Sequence, residues 1–421
     1  MLRFCTLEQA QEKLMDRTPL LDIELVDLLT ASGRVLADDI FASADLPPAD
    51  QSAVDGFALG YGSREIGSQY RLTGSLRLDE VASFSLQAGE AVRVMTGGTL
   101  PAGSQAVIAH ERNLLEGDLI TLQEKISPGM NTKQAGEDFR RGERLLSRGQ
   151  LLDPGAIALL SAFGICQVAV HRRPRVAILS LGANAVPCQT DPLPGQVRDS
   201  NSPMLAALAQ KDGAEIVFVR QITTCRQETL LPLLSQLLEQ VDLIIATGGT
   251  YAGDQVEALQ LMTQAGVEPL YWNVAIQPGN HQGAGIREEC MVISLSGNPA
   301  ACAVGYHLFA TPVLLAMVGK TPYRPRVTAR CINPFAKKAN SRRFVRSHAT
   351  WTPKGWQVET LPGQKPSMLR SLLDCNALID IPAGSPPLTV GTEVSILLLD
   401  NSYVGLNAEE PSRCLIRMGP S

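Results

Sequence analysis

The stretch best suited to chemistry is Asp242–Asp254, which reads DLIIATGGTYAGD. Its apolar run, Leu243–Ala246, stops at Thr247-Gly248-Gly249. A short polar loop then leads through Gly253 and Asp254 to a helical pattern carried by Val256, Leu259, Leu261 and Met262. Strand, glycine turn and helix start are the parts of a βαβ unit. Glycines let a backbone close on an anion, and the first N–H groups of a helix then point at it. The same Gly-Gly pair also makes a plain tight turn. Further polar stretches share this character. Asp50-Gln-Ser-Ala-Val-Asp55-Gly-Phe-Ala58 flanks a small-residue turn with two carboxylates, the pattern of an Asx-turn feeding a strand. Met95-Thr96-Gly-Gly-Thr-Leu-Pro-Ala-Gly103 is again a strand running into glycines, and Gly136-Glu-Asp138, Ser180–Asn184 and Ser296-Gly297-Asn298-Pro299 complete the set.

The elements that must hold these residues follow from periodicity and punctuation. A helix is expected over 6–18, opened by a Thr6/Gln9 capping box, and a second helical segment over Val26–Ser32, stopped by Gly33. Pro47 and Pro48 mark an extended connector. From Tyr70 to about Glu124 the pattern is short strands with turns: Arg71–Thr73, Glu90–Met95, Ala106–Ala109 and Leu119–Leu122. Asp153-Pro-Gly prepares a helix through Ile157–Phe163. From Pro174 strands and helices alternate. Strands are expected at Arg175–Ser180, Glu215–Arg220, Leu243–Ala246, Pro269–Val274 and Met291–Leu295. Helices are expected at Pro203–Lys211, Gln227–Gln240, beyond Gly253, and at Ala300–Val318. This is a doubly wound α/β pattern, in which ligands sit beyond the carboxyl ends of the strands. Ser180–Asn184, Thr247–Asp254 and Ser296–Pro299 all fall there. After a linker at 321–325 a small β-barrel-like domain is expected, and 401–421 reads as loose. The fold class is therefore α/β and multidomain. A helical linking domain takes 1–48 and 139–173, an inserted β-rich domain 49–138, an α/β domain 174–322 and a C-terminal β domain 323–421.

Composition bounds the function. At 421 residues with 45% hydrophobic residues the chain is globular and holds several domains. Net charge is −5, and the basic clusters His171–Arg173 and Arg342–Arg343 are short, so no nucleic-acid partner is expected. The nine cysteines form no CxxC pair, which fits reduced thiols without a zinc or iron–sulfur site. No apolar run is expected to reach membrane-spanning length, roughly 18 residues, and a cytoplasmic protein is expected.

In order and spacing, Asp50–Ala58, Met95–Gly103, Gly136–Asp138, Arg198-Asp199-Ser200-Asn201, Thr247–Asp254 and Ser296–Pro299 resemble the motifs of the MoeA family. These are the molybdenum insertases, similar to the insertase domain of gephyrin. The resemblance covers nearly the whole chain. It implies a homodimer of four-domain subunits with a MogA-like α/β domain. It implies a reaction that consumes adenylylated molybdopterin and molybdate and yields molybdenum cofactor and AMP with Mg2+, and it leaves room for contacts with other cofactor-biosynthesis proteins. Carried onto this chain, it implies Asp55, Asp138 and Asp254 as catalytic carboxylates, with Asp55 and Asp254 as metal ligands. It implies a molybdopterin and nucleotide site of Thr96, Ser180, Asp199, Ser200, Asn201, Gly248, Gly249, Gly253, Pro278, Gly279, Gly297, Asn298 and Pro299.

The chain departs from that pattern at several positions. Leu181-Gly-Ala-Asn184 stands where the family carries two acids. Gln277-Pro-Gly-Asn280, followed by His281, stands where it carries two lysines. Val256 replaces an aspartate, with Glu257 beside it, and Ser296 replaces a proline. Each lysine removed from an anion site forfeits about 1.5–3 kcal/mol of charge-assisted bonding. Two expectations follow: an insertase with a re-tuned pocket, in which Gln277→Lys and Asn280→Lys raise activity, or a catalytically degenerate paralogue that binds molybdopterin or acts as a scaffold.

Overall fold

The computed structural model describes residues 1–182, 184–222, 227–249 and 255–399, with side chains throughout except at 227–229 and 255–257. The chain forms two compact units, one of Met1–Glu24 with the segment from His171 onward, the other of Leu25–Val170.

The first unit is built on a seven-stranded sheet. Its strands lie in the order Leu2–Cys5, Glu268–Val274, Gly283–Arg287, Cys290–Leu295, Leu243–Gly248, Arg175–Leu181 and Glu215–Ile222. The last four run parallel. Gly283–Arg287 is antiparallel to both neighbours, and Leu2–Cys5 adds in parallel at the edge, with Leu2 opposite Tyr271. The apolar strands bury both faces. Val176, Ile178, Leu243, Ile245, Met291 and Ile293 enter one core; Ala177, Leu179, Ile244, Ala246 and Val292 enter the other. The expected alternation from 174 onward is thus present, with boundaries shifted by a residue or two.

Two strands of this sheet escaped the sequence reading, Leu2–Cys5 and Gly283–Arg287. The capping-box helix runs over Leu7–Met15 and packs Leu7, Ala10 and Leu14 into the α/β core. Residues 1–24, expected with 25–48 in a linking region, therefore belong with this sheet. The last helix, Pro299–Met317, carries a π-turn at Tyr306–Ala310. It corrects the expectation of no membrane-length apolar run. At 19 residues it is long and apolar enough to cross a membrane, yet 89% of its apolar window is buried, which makes it the central helix of this core. Beyond it, Arg326–Cys331, Arg342–Thr352, Gly355–Thr360, Ala377–Ile381 and Glu393–Leu398 form a sheet that closes where Arg342–Thr352 pairs with Ala377–Ile381. This is the expected C-terminal barrel, filled by Val345, Ala349, Val358, Ile379 and Ile396.

The second unit holds a six-stranded sheet in the order Ala106–Ala109, Gly56–Leu59, Glu90–Val94, Gln69–Ser75, Leu119–Leu122 and Asn113–Glu116. The expected helix at Val26–Ser32 is instead a strand, Ile23–Asp27, and a single 3-10 turn, Leu28–Thr30, capped by Asp27. Residues 23–27 include the β-branched Ile23 and Val26, and Asp27 ends the run by accepting the Leu29 N–H at 2.9 Å. A helix at Pro154–Ala162 follows the Asp153 cap.

Candidate active site

In the first unit the polar ends of neighbouring strands meet. Ser180 lies opposite Thr247, and Ala246 opposite Ser294, in a continuous parallel register. Thr247, 1% exposed, joins the elements. Its hydroxyl accepts from Asn201 Nδ2 at 2.9 Å and has both the Ser296 carbonyl, at 3.0 Å, and Cys302 Sγ, at 3.4 Å, within donating reach. Asn201 Nδ2 also donates to the Gly297 carbonyl at 2.8 Å. One side chain thus ties the helix Asn201–Lys211 to two strand ends. Burial pushes the Cys302 thiol up to about 12, so it is a neutral partner here.

The glycines are required by space. Gly248 has φ +85°, and a Cβ there would lie 2.1 Å from the Leu181 carbonyl oxygen. A Cβ on Gly297 would lie 3.1 Å from Gly248 Cα. The two loops therefore touch backbone to backbone, with Gly249 (φ +63°) next in line. Asn298 stands exposed at the start of the helix Pro299–Met317, and its side chain makes no hydrogen bond among the described residues. Gly253 and Asp254 lie outside the described residues.

Two helix starts differ from the anion cradle expected of them. The Asp199 carboxylate accepts the Asn201 and Ser202 N–H groups at 3.0 and 3.1 Å and the Ser202 hydroxyl at 2.6 Å. Asp199 therefore caps this helix, while Ser200, half-buried beside it, makes no capping bond. At the other start Pro299 has no N–H, and the Ala300 N–H is taken by the Pro366 carbonyl at 3.0 Å.

The turn Gln277–Asn280 packs against that same helix start. Pro278 is buried and joined to Gln277 by a cis peptide. A Cβ on Gly279 (φ +87°) would meet Gln282 Nε2 at 2.2 Å and the Ala301 carbonyl at 3.4 Å. Gln282, fully buried, locks the turn by donating to the Gly279 carbonyl at 2.7 Å. His281 Nδ1 lies 3.3 Å from Asn273 Oδ1.

Cations that the sequence reading did not assign to the site stand on the barrel strand Arg342–Thr352, including Arg343 of the short basic cluster noted above. Arg343 Nη2 donates to Gln277 Oε1 at 2.7 Å. Arg346 is 1% exposed, and among the described residues its side-chain hydrogen bonds go to neutral acceptors: Ser371 Oγ at 2.7 Å and the carbonyls of Gly363 and Lys365 at 3.2 and 3.4 Å. Its Nη1 is buried without a partner. Burial pulls its pKa down to about 10. An arginine this deep without a carboxylate is rare in a structural role. The signal available in sequence was an arginine inside the strand Phe344-Val345-Arg346-Ser347, where the neighbours are core residues. The segment that covers Arg346 also supplies Pro366, so the buried charge and the Pro299 helix start share one loop.

In the second unit three motifs converge. Asp55 Oδ1 accepts the Thr96 N–H at 2.7 Å and the Thr96 hydroxyl at 2.8 Å. Those two bonds, the backbone one first, hold its carboxyl below the usual carboxylate range. Asp50 Oδ1 accepts the Ala135 N–H at 2.8 Å, next to Gly136. Asp138 is exposed, with its backbone N–H on the Leu46 carbonyl at 3.0 Å. Among the described residues no three His, Cys, Asp or Glu side chains gather as a metal site requires, and Asp55 already uses one oxygen on Thr96.

Against this geometry stand three family matches. Residues 5–164 match the MoeA N-terminal region (domains I and II), 177–316 a probable molybdopterin binding domain, and 328–399 the MoeA C-terminal region (domain IV). The chain belongs to the MoeA family. It is 30% identical over 408 residues to the molybdopterin molybdenumtransferase of Staphylococcus aureus, covering 94% of this chain and 95% of that protein. It is 27% identical over 383 residues to that of Staphylococcus epidermidis, covering 90% and 91%. The crystal structure of the molybdopterin biosynthesis MoeA protein from Pyrococcus horikoshii superposes with a TM-score of 0.79 at 28% identity, covering 94% of this chain and all of that one. In this MoeA-family chain Gln277 of the neutral turn accepts a hydrogen bond from Arg343 of the barrel, a contact that sequence spacing does not reveal.

Proposed function

We propose that this chain is a molybdopterin molybdenumtransferase of molybdenum cofactor biosynthesis, which binds adenylylated molybdopterin and molybdate and releases AMP as molybdenum is inserted. The observation that carries the reading is the crevice at the parallel strand ends. There Gly248 and Gly297 leave bare backbone, Asn298 offers an uncommitted amide, and Arg346 places an uncompensated charge behind the adjoining loop. Bare backbone and neutral amides suit a pterin and its phosphates. A guanidinium without a counter-ion provides the field that an oxyanion needs, and it is strong because the surroundings are apolar. Thr247 and Asn201 hold the loops in register and Asp199 caps the helix beneath them, so these act by positioning. A homodimer and a cytoplasmic location are proposed with this reading. Magnesium is proposed as companion ion; the roles above do not depend on it.

The test is AMP release from adenylylated molybdopterin by the purified full chain, with and without molybdate. Molybdate-dependent release supports an insertase. Tight binding of the nucleotide with no release, magnesium included, refutes it and leaves the scaffold reading.

A further inference from the structure

We propose that Arg343 is an anion-binding residue of this site, gripping a tetrahedral oxyanion at the Gln277–Asn280 turn. The assignment rests on the function proposed above and names a residue of that same site. Two other arginines of the barrel are neutralised: Arg342 pairs with Glu8 and Asp380, and Arg326 pairs with Asp380. Arg343 has no acid within reach among the described residues. One guanidinium nitrogen is spent on a neutral acceptor, Gln277 Oε1 at 2.7 Å. Nε is buried without a partner, and the guanidinium carbon lies 5.8 Å from the centre of the Phe335 ring. Gln277 and Phe335 thus fix the fork in place without cancelling its charge, and the side chain as a whole is partly exposed. Arg343 and Gln277 are register partners, opposite one another on paired strands, so this charge sits where the end of any long side chain at 277 must lie. The turn it serves rests on the Pro299 helix start through Gly279 and Ala301.

A planar fork suits an oxyanion presenting two oxygens. Molybdate and a substrate phosphate share that chemistry. Calorimetry on the full chain with sodium molybdate, and separately with inorganic phosphate, distinguishes them. Arg343→Gln is expected to weaken one of the two by about 10- to 100-fold; loss of molybdate alone places molybdate at Arg343, loss of phosphate alone the substrate phosphate. Arg343→Lys, which keeps charge but not the fork, is expected to fall between. Gln277→Lys on its own is expected not to tighten either anion, because its ammonium meets Arg343; in the Arg343→Gln background it is expected to recover part of the loss. Unchanged binding of both anions in Arg343→Gln, or tighter binding in Gln277→Lys alone, overturns the assignment while leaving the insertase reading intact if AMP release persists. A wild type that binds neither anion and releases no AMP overturns both.

Discussion

Replacing Arg346 by methionine separates a functional charge from a structural one. Burial lowers the guanidinium pKa from its ordinary value to about 10, which corresponds to about 3 kcal/mol of differential cost for keeping it charged. Because the folded pKa lies below the unfolded one, that cost is present in full at neutral pH and is relieved only as pH rises past about 10. Methionine removes it. Against this, the charge-assisted bonds to Ser371, Gly363 and Lys365 are lost, each contributing about 1.5 kcal/mol net at the low end suited to the longer contacts. Ser371 Oγ keeps its own bond to the Gly363 carbonyl at 2.8 Å. The loss exceeds the relief by only about 1–2 kcal/mol, so the melting temperature of Arg346→Met is expected within about 6 °C of wild type. Molybdate-dependent AMP release is expected to fall at least about 100-fold, with Arg346→Lys retaining part of it. A variant that melts ten or more degrees lower identifies Arg346 as a structural keystone. One that keeps full activity removes it from the site.

Gly248→Ala forces a Cβ to 2.1 Å from the Leu181 carbonyl at φ +85°. It is expected to cost about 2 kcal/mol or more, seen as a lowered denaturation midpoint. Gly249→Ala, with a side chain 3.5 Å away as its nearest neighbour, is expected to cost less than half of that. Burial lowers His307 to about 3 from 6.5, so the unfolded chain binds the extra proton first. Stability is expected to decline as pH drops from about 6.5 toward 3, and His307→Gln is expected to flatten that part of a urea-midpoint-against-pH curve.

Most of the architecture was legible because its strands are continuous apolar runs closed by glycine. The missed strand Gly283–Arg287 shows where such reading stops. Gly283 and Gly285 leave room for Trp272 and Val267, whose atoms lie 2.1 and 2.5 Å from where their Cβ atoms would be. Glycines that packing demands looked like punctuation. The Val26–Ser32 segment failed for the opposite reason, since its apolar residues fit either period and the Asp27 cap decided. At the site, the motif residues of the first unit that are described do meet around Thr247, but their roles divide in ways spacing cannot show. Asp199 reads as a ligand and serves as a cap; Pro299 opens a helix whose first donor, on Ala300, is already spent. Arg343 and Arg346 were invisible as a pair. Position 277 was read as a lost cation because the partner that answers it lies 66 residues away in the chain.

The parallel pairing of Leu2–Cys5 with the strand ending at Val274 bears on how the protein is made. During synthesis residues 1–24 emerge long before the strand they must join exists, while residues 25–170 form a compact unit of their own. At about 5–20 residues per second the leading segment waits on the order of tens of seconds, with Leu7, Ala10 and Leu14 uncovered. Ribosome-bound intermediates of this protein should be open to proteases and chaperones over residues 1–24 and closed over 25–170.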